Sequence, residues 1–160
     1  MGTILPTAIP APLIDPQPPA GGFEFDVAAV NPEEFRTRVT GAVTVGAGKG
    51  TYTNTQDYPM RLREVNLYAG TAPTGADLVV DVNVEGTTAF SAQTGRPKVL
   101  AGQKVGKAVP AQAGKPVDVQ PGQSVTVDVD QVGSTVAGAD VLVVVELVKI
   151  APLNREGILY

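Results

Sequence analysis

Few side chains in this sequence can do chemistry, and two carboxylate pairs stand out: Glu24 with Asp26, and Asp128 with Asp130. On an extended chain an i, i+2 spacing puts both side chains on one face, about 7 Å apart. Two acids at that separation are the equipment of a glycosidase. The same spacing also marks the solvated face of a half-buried strand, and apolar Phe25 and Val129 between the acids favour that reading. With Asp81 or Asn83 nearby, Asp128 and Asp130 would also offer oxygens to Ca²⁺. Calcium takes roughly six to eight oxygens from a loop that wraps it, which mid-strand acids do badly. Gly46-Ala47-Gly48-Lys49-Gly50-Thr51 is reminiscent of a phosphate loop, but Gly50 separates Lys49 from Thr51. No helical pattern follows to supply an anion-binding N-terminus, so the segment reads as a flexible loop.

The sequence contains no His and no Cys. Nucleophile systems built on Ser-His-Asp or Cys-His are excluded, and so are disulfides and zinc–thiolate centres. The commonest general base and metal ligand is missing as well. The expectation is a protein that is not an enzyme, with no catalytic residues, no cofactor and no metal. A net charge of −4 with no run of Lys or Arg predicts no nucleic-acid partner. The longest plain apolar run, Val141-Leu142-Val143-Val144-Val145, is far too short to span a membrane. The N-terminus lacks a basic region, and prolines interrupt its apolar residues, so no secretory signal is expected and synthesis is placed in the cytoplasm.

Elements that would position these residues alternate with period two. Phe23, Phe25 and Val27 predict a first strand. Asn31-Pro32-Glu33-Glu34 has the form of a helix start, an N-cap followed by Pro and acids. β-branched residues soon follow, so one turn at most is expected there. A Gly-rich break at Gly46, Gly48 and Gly50 leads into a polar stretch over 51–57, and 60–68 reads as a strand. In residues 78–84, Leu78, Val80, Val82 and Val84 form one face and Val79, Asp81 and Asn83 the other. In 124–130, Val125, Val127 and Val129 oppose Thr126, Asp128 and Asp130. Each pattern predicts a sheet with one wet face. Residues 141–150 are apolar almost throughout and fit a central strand covered on both sides. Residues 93–123 read as long loops around short strands such as 116–119. Gly75-Ala76-Asp77 and Gly138-Ala139-Asp140 echo one another ahead of two strong strands, as turns in which Asp caps backbone N–H groups.

Three segments follow: an extended Pro-rich arm (1–21), a β domain (22–150) and a C-terminal tail (151–160). Six of the 14 prolines fall within the first 20 residues, which excludes helix and central strand there. Ile4, Leu5, Ile9, Leu13 and Ile14 lie between them, where a solvated linker would be polar. They are candidate partner-binding anchors; the alternative is an ordinary disordered terminus. The tail ends in Ile158, Leu159 and Tyr160 behind Gly157. These three are expected to pack on a neighbouring subunit, the alternative being the edge of their own sandwich.

Residues 67–83, Leu67-Tyr68-Ala69-Gly70-Thr71-Ala72-Pro73-Thr74-Gly75-Ala76-Asp77-Leu78-Val79-Val80-Asp81-Val82-Asn83, together with 126–135, Thr126-Val127-Asp128-Val129-Asp130-Gln131-Val132-Gly133-Ser134-Thr135, carry a resemblance. They look like a β-sandwich module of tailed-bacteriophage virion proteins, found in head decoration, capsid-fibre and tail-associated components. The likeness covers about 58–150 and brings no catalytic residues with it. It implies an all-β, antiparallel, jelly-roll-like sandwich in the virion. The expected function is a head decoration or minor capsid protein that binds and reinforces the assembled shell. Its partners would be the major capsid protein or other virion proteins, and it would be a homo-oligomer on the particle. The alternative function is a tail or capsid-fibre module that binds a host-surface glycan. With no Trp, such a module would have Tyr52 and Tyr58 as its best platforms.

Overall fold

The computed structural model describes residues 32–150. Ten strands follow in order: β1 (Glu33–Ala42), β2 (Gly46–Thr53), β3 (Met60–Thr71), β4 (Leu78–Val84), β5 (Thr87–Thr88), β6 (Lys98–Val99), β7 (Val105–Ala108), β8 (Asp118–Val119), β9 (Ser124–Gln131) and β10 (Ala139–Lys149). One sheet runs β1-β10-β3-β7 with β8 also on β3; the other runs β2-β9-β4-β5 with β6 also on β4. Every strand pair is antiparallel. The pairings nest: β1 with β10, β2 with β9, β3 with β7 and β8, β4 with β5 and β6. A long antiparallel ribbon rolled on itself gives this order, which is the jelly roll. The all-β sandwich expected from the alternation is the observed fold.

Val carries most of the core. Val80 and Val82 on β4, Val125 and Val127 on β9, and Val143 and Val145 on β10 are fully buried. β10 lies between β1 and β3, and its outward Val144 and Val148 are also covered, as a central strand requires. On β3, Leu62 and Val65 are both buried although three residues apart. A register shift opposite Glu146 and Leu147 leaves Arg63 as the extra residue. This bulge restores the inward phase for Val65 and Leu67.

Four local expectations are corrected. Where a helix start is expected, the described residues 32–34 hold no helix: β1 is extended from Glu33, with Phe35, Thr37 and Val39 turned inward beside β10, and Asn31 lies outside the described residues. Alternation continues straight through the acids, so cross-strand pairing prevails over the capping signature. The Gly-rich break is part of β2, in which a register shift between Gly46 and Gly50 absorbs the glycines. The polar stretch at 51–57 begins as strand through Thr53. The face of β4 expected to be wet is covered: Asp81 is 5% exposed and Asn83 9%. The predicted strand at 23–27 lies outside the described residues.

β1 begins where β10 finishes, with Glu33 opposite Leu147. This end of the sandwich, the base, therefore receives the chain at Pro32 and releases it at Ile150. The opposite end, the tip, gathers four loops: 43–45, 72–77, 100–104 and 132–138.

Candidate functional site

The predicted anchors Ile4, Leu5, Ile9, Leu13, Ile14, Ile158, Leu159 and Tyr160 lie outside the described residues, as does the pair Glu24 and Asp26. Their segments join the fold on neighbouring strands of one sheet, at the base.

Asp128 and Asp130 are neither an acid–base pair nor a calcium cradle. Asp128 accepts the Gly48 N–H at 2.6 Å and the Asn83 amide at 2.8 Å. Asp130 pairs with Arg96, whose other terminal nitrogen lies 3.0 Å from an Asp81 oxygen. The Arg96 guanidinium thus holds the place between Asp81 and Asp130 that a bound cation would need. Among the described residues no group of three or more acidic side chains is disposed to hold a metal ion. The second Asp81 oxygen accepts the Thr88 hydroxyl at 2.7 Å and the Val82 N–H at 2.9 Å. Burial pushes the Asp81 carboxyl above its ordinary range. The Thr88 bond, the Arg96 charge and the Val82 N–H offset this in part, while Asp130 adds to it. Arg96 Nε is buried without a hydrogen-bond partner. Arg96 follows a short 3-10 turn, Gln93–Gly95, and caps the outer face of β4 and β9.

Beside this cluster lies a cleft of about 510 Å³ lined by Asp77, Val79, Gln93, Thr94, Arg96, Lys98, Asp130 and Gln131. The Gln131 amide donates to the Asp77 carbonyl at 2.9 Å, which ties the two rims together. Sequence reasoning missed this site because 93–98 carries no periodic pattern and reads as loop. The Gly75-Ala76-Asp77 echo and the Asp128 and Asp130 pair each pointed to one of its walls.

Tyr52 and Tyr58 are structural rather than open platforms. The Tyr52 ring packs 5.8 Å from Phe35, and its hydroxyl lies 3.3 Å from a Glu33 oxygen. Burial, with the Glu33 charge and hydrogen bond, pushes its pKa up to about 12. Tyr58 is half-buried against the core and has Lys149 Nζ 4.0 Å from its ring centre. In the glycine segment, a Cβ on Gly50 would meet the Thr37 side chain at 2.5–2.7 Å, while the Thr37 hydroxyl donates to the Lys49 carbonyl at 2.9 Å. The glycine lets β1 and β2 close the seam between the sheets.

The echoed turns meet at the tip. Thr74 N–H donates to the Val136 carbonyl at 2.9 Å, and Thr135 N–H to the Thr74 carbonyl at 3.0 Å. Their aspartates do cap backbone N–H groups, though in neighbouring segments: Asp77 accepts Ala101 N–H and Asp140 accepts Gly41 N–H, both at 2.9 Å. Val43 N–H donates to Gly138 O and Gly102 N–H to Pro73 O, so all four loops are laced together.

No protein-family model matches the chain, and no curated protein is significantly similar to it.

Proposed function

We propose that this protein is a structural component of a bacteriophage particle, a head decoration or minor capsid protein that binds and reinforces the assembled shell. Its partner on that reading is the major capsid protein or another virion protein, and it resides in the virion. The observation that carries the reading is the shared exit at the base. Glu33 lies opposite Leu147, so residues 1–31 and 151–160 leave one end of one sheet from neighbouring strands. Both segments hold apolar anchors: Ile4, Leu5, Ile9, Leu13 and Ile14 in one, Ile158, Leu159 and Tyr160 in the other. Each anchor contributes roughly 1.5–3 kcal/mol if fully buried on a partner. Two tethers from one end act at a high effective concentration on neighbouring sites. Co-sedimentation with the particle tests this. Deleting residues 1–20 spares every described strand and is expected to abolish association, whereas undiminished binding would remove the arm as the attachment element.

A second reading, a tail or capsid-fibre module that binds a host glycan, gains support from the cleft beside Arg96. Lys98, Thr94 and the Gln93 amide supply donors there, and Asp77, Gln93 and Gln131 supply acceptors. A sugar hydroxyl both donates and accepts, so mixed groups of this kind suit it. Glycan-array binding that Lys98→Ala and Gln131→Ala together abolish would favour this reading, and an array without signal would remove it.

A further inference from the structure

β1 stands at the edge of its sheet. Among the described residues it pairs with β10 alone, and no strand pairs with its other edge. An uncovered edge 10 residues long presents backbone N–H and C=O groups that another strand can pair with. Its outward side chains include Arg36 and Arg38, both exposed. Arg36 pairs with Glu34 on its own strand, and Arg38 has no acidic partner among the described residues. On the inward side Phe35 and Val39 are only half-buried, at the margin of the core. Across the seam β2 is rich in glycine, and a Cβ on Gly48 would meet nothing within 4 Å, so room remains there.

The sequence holds a segment that matches this edge. In residues 23–27, which lie outside the described residues, Phe23, Phe25 and Val27 alternate with Glu24 and Asp26. Set antiparallel to β1 with Val27 opposite Phe35, the segment brings Phe25 opposite Thr37 and Phe23 opposite Val39 on the inward face. On the outward face Asp26 then falls opposite Arg36 and Glu24 opposite Arg38. Opposite charges directly across a strand pair are favourable. Neighbouring registers match less well. A shift of one residue turns the apolar set outward. A shift of two toward the base sets Asp26 against Glu34, and two toward the tip leaves Glu24 opposite Thr40 and Phe23 opposite Gly41.

We infer that the free edge of β1 takes residues 23–27 of a second copy of this chain as an added antiparallel strand, each copy lending its segment and receiving one. The connection selects a second copy over the chain's own segment. To cover its own β1 the chain would have to reverse within 28–34, and Ala28-Ala29-Val30-Asn31-Pro32 holds no glycine. Pro32 biases Asn31 toward the extended region and away from a turn conformation. Glu33 and Glu34 are already committed to the β10 ladder. A connection that resists reversal directs its strand outward, and exchange of an element between copies is a low-cost route to assembly. The inference rests on this edge and is independent of what the apolar anchors of the arm bind.

Sedimentation velocity between about 1 and about 100 µM tests it. The full chain is expected to self-associate, and so is a chain lacking residues 1–20. A chain lacking 1–27 is expected to be monomeric and folded by circular dichroism. Glu24→Arg with Asp26→Arg, and separately Arg36→Glu with Arg38→Glu, set like charges against one another, and each pair is expected to give monomers. Mixed in equal amounts, these two variants match each other's segments and edges and are expected to associate again. A monomeric full chain would overturn the inference, and amide protection of 23–27 in that monomer would place the segment on its own β1. Association lost with residues 1–20 would overturn it by placing the contact in the apolar anchors. Association that survives loss of 1–27 or either charge reversal, or a mixture that stays monomeric, would overturn it as well.

Discussion

Removing Arg96 tests whether the covered face of β4 is held by charge or by packing. Asp81 is 5% exposed and has the Arg96 guanidinium 3.0 Å away as its only cation partner among the described residues. Arg96→Ala leaves that carboxylate without its cation, with the Thr88 hydroxyl and the Val82 N–H as its remaining donors among the described residues. Breaking a buried pair from one side costs about 3–5 kcal/mol. Here Asp130 is about one-third exposed and rehydrates freely, so a cost at or below the bottom of that range, about 2–3 kcal/mol, applies. For a fold of this size the midpoint of thermal unfolding drops by on the order of 10 °C. The pH dependence identifies the cause. Asp81 already has its carboxyl raised by burial. A raised acid contributes stability that is full below the unfolded carboxylate value, near 3.9, and is lost as pH rises through the folded value. Removing the cation raises it further. The gap between variant and parent is therefore expected to be wide at neutral pH and to narrow toward pH ~4. Melts followed by circular dichroism across that window measure it. Adding Asp81→Asn to Arg96→Ala is expected to recover part of the loss at neutral pH. A deficit equal at both ends of the window would refute the charge argument and leave packing over β4 as the role of Arg96.

Val82 and Val127 pair directly across β4 and β9 with no exposure, so Val82→Asp or Val127→Asp would bury an unpaired carboxylate at a cost of several kcal/mol; a parent-like melt would refute the register. Gly133→Ala drives a methyl into the Val136 carbonyl and Thr74 backbone, and amide exchange at Thr74 and Thr135 is expected to accelerate as the tip unzips, while unchanged exchange would show the loops held by other means. Tyr52 has its phenol pushed up to about 12. Ultraviolet titration is therefore expected to show one tyrosine ionising late, with stability full below the ordinary tyrosine value near 10 and lost as pH rises through about 12. Tyr52→Phe removes that late step.

Where a strand is buried on one face and long enough to repeat, its residues announce it. Ser124–Gln131 is such a strand, and Leu78–Val84 carries the same alternation although its second face is covered as well; the inward valines of both are buried. Period-two patterning is a direct imprint of the pleat and needs no knowledge of the partner strand. β2 was illegible in part because Gly50 is required by something remote, the approach of Thr37 across the seam. Asp81 and Asn83 look solvated by type, and their partners are remote in sequence: Arg96, 15 residues on, pairs with Asp81, and the Asn83 amide donates to Asp128. The cleft was hidden for the same reason: its walls come from three separate segments with no shared pattern. The echoed Gly-Ala-Asp turns were visible as turns, but their mutual hydrogen bonds follow from topology.

Strand exchange at β1 would have a consequence for attachment. Residues 23–27 lie between β1 and the anchors Ile4 to Ile14, so the same arm would serve both contacts through different parts of its length. Copies joined by exchange would present their anchors together, and linked sites bind more tightly than separate ones. On a proposed shell this makes a measurable difference. The Glu24→Arg, Asp26→Arg variant keeps every apolar anchor but is expected to be monomeric, and it is expected to need a higher concentration than the wild type to load a particle to half its capacity. Equal half-loading concentrations would show that exchange does not assist attachment, and would rule it out on the particle.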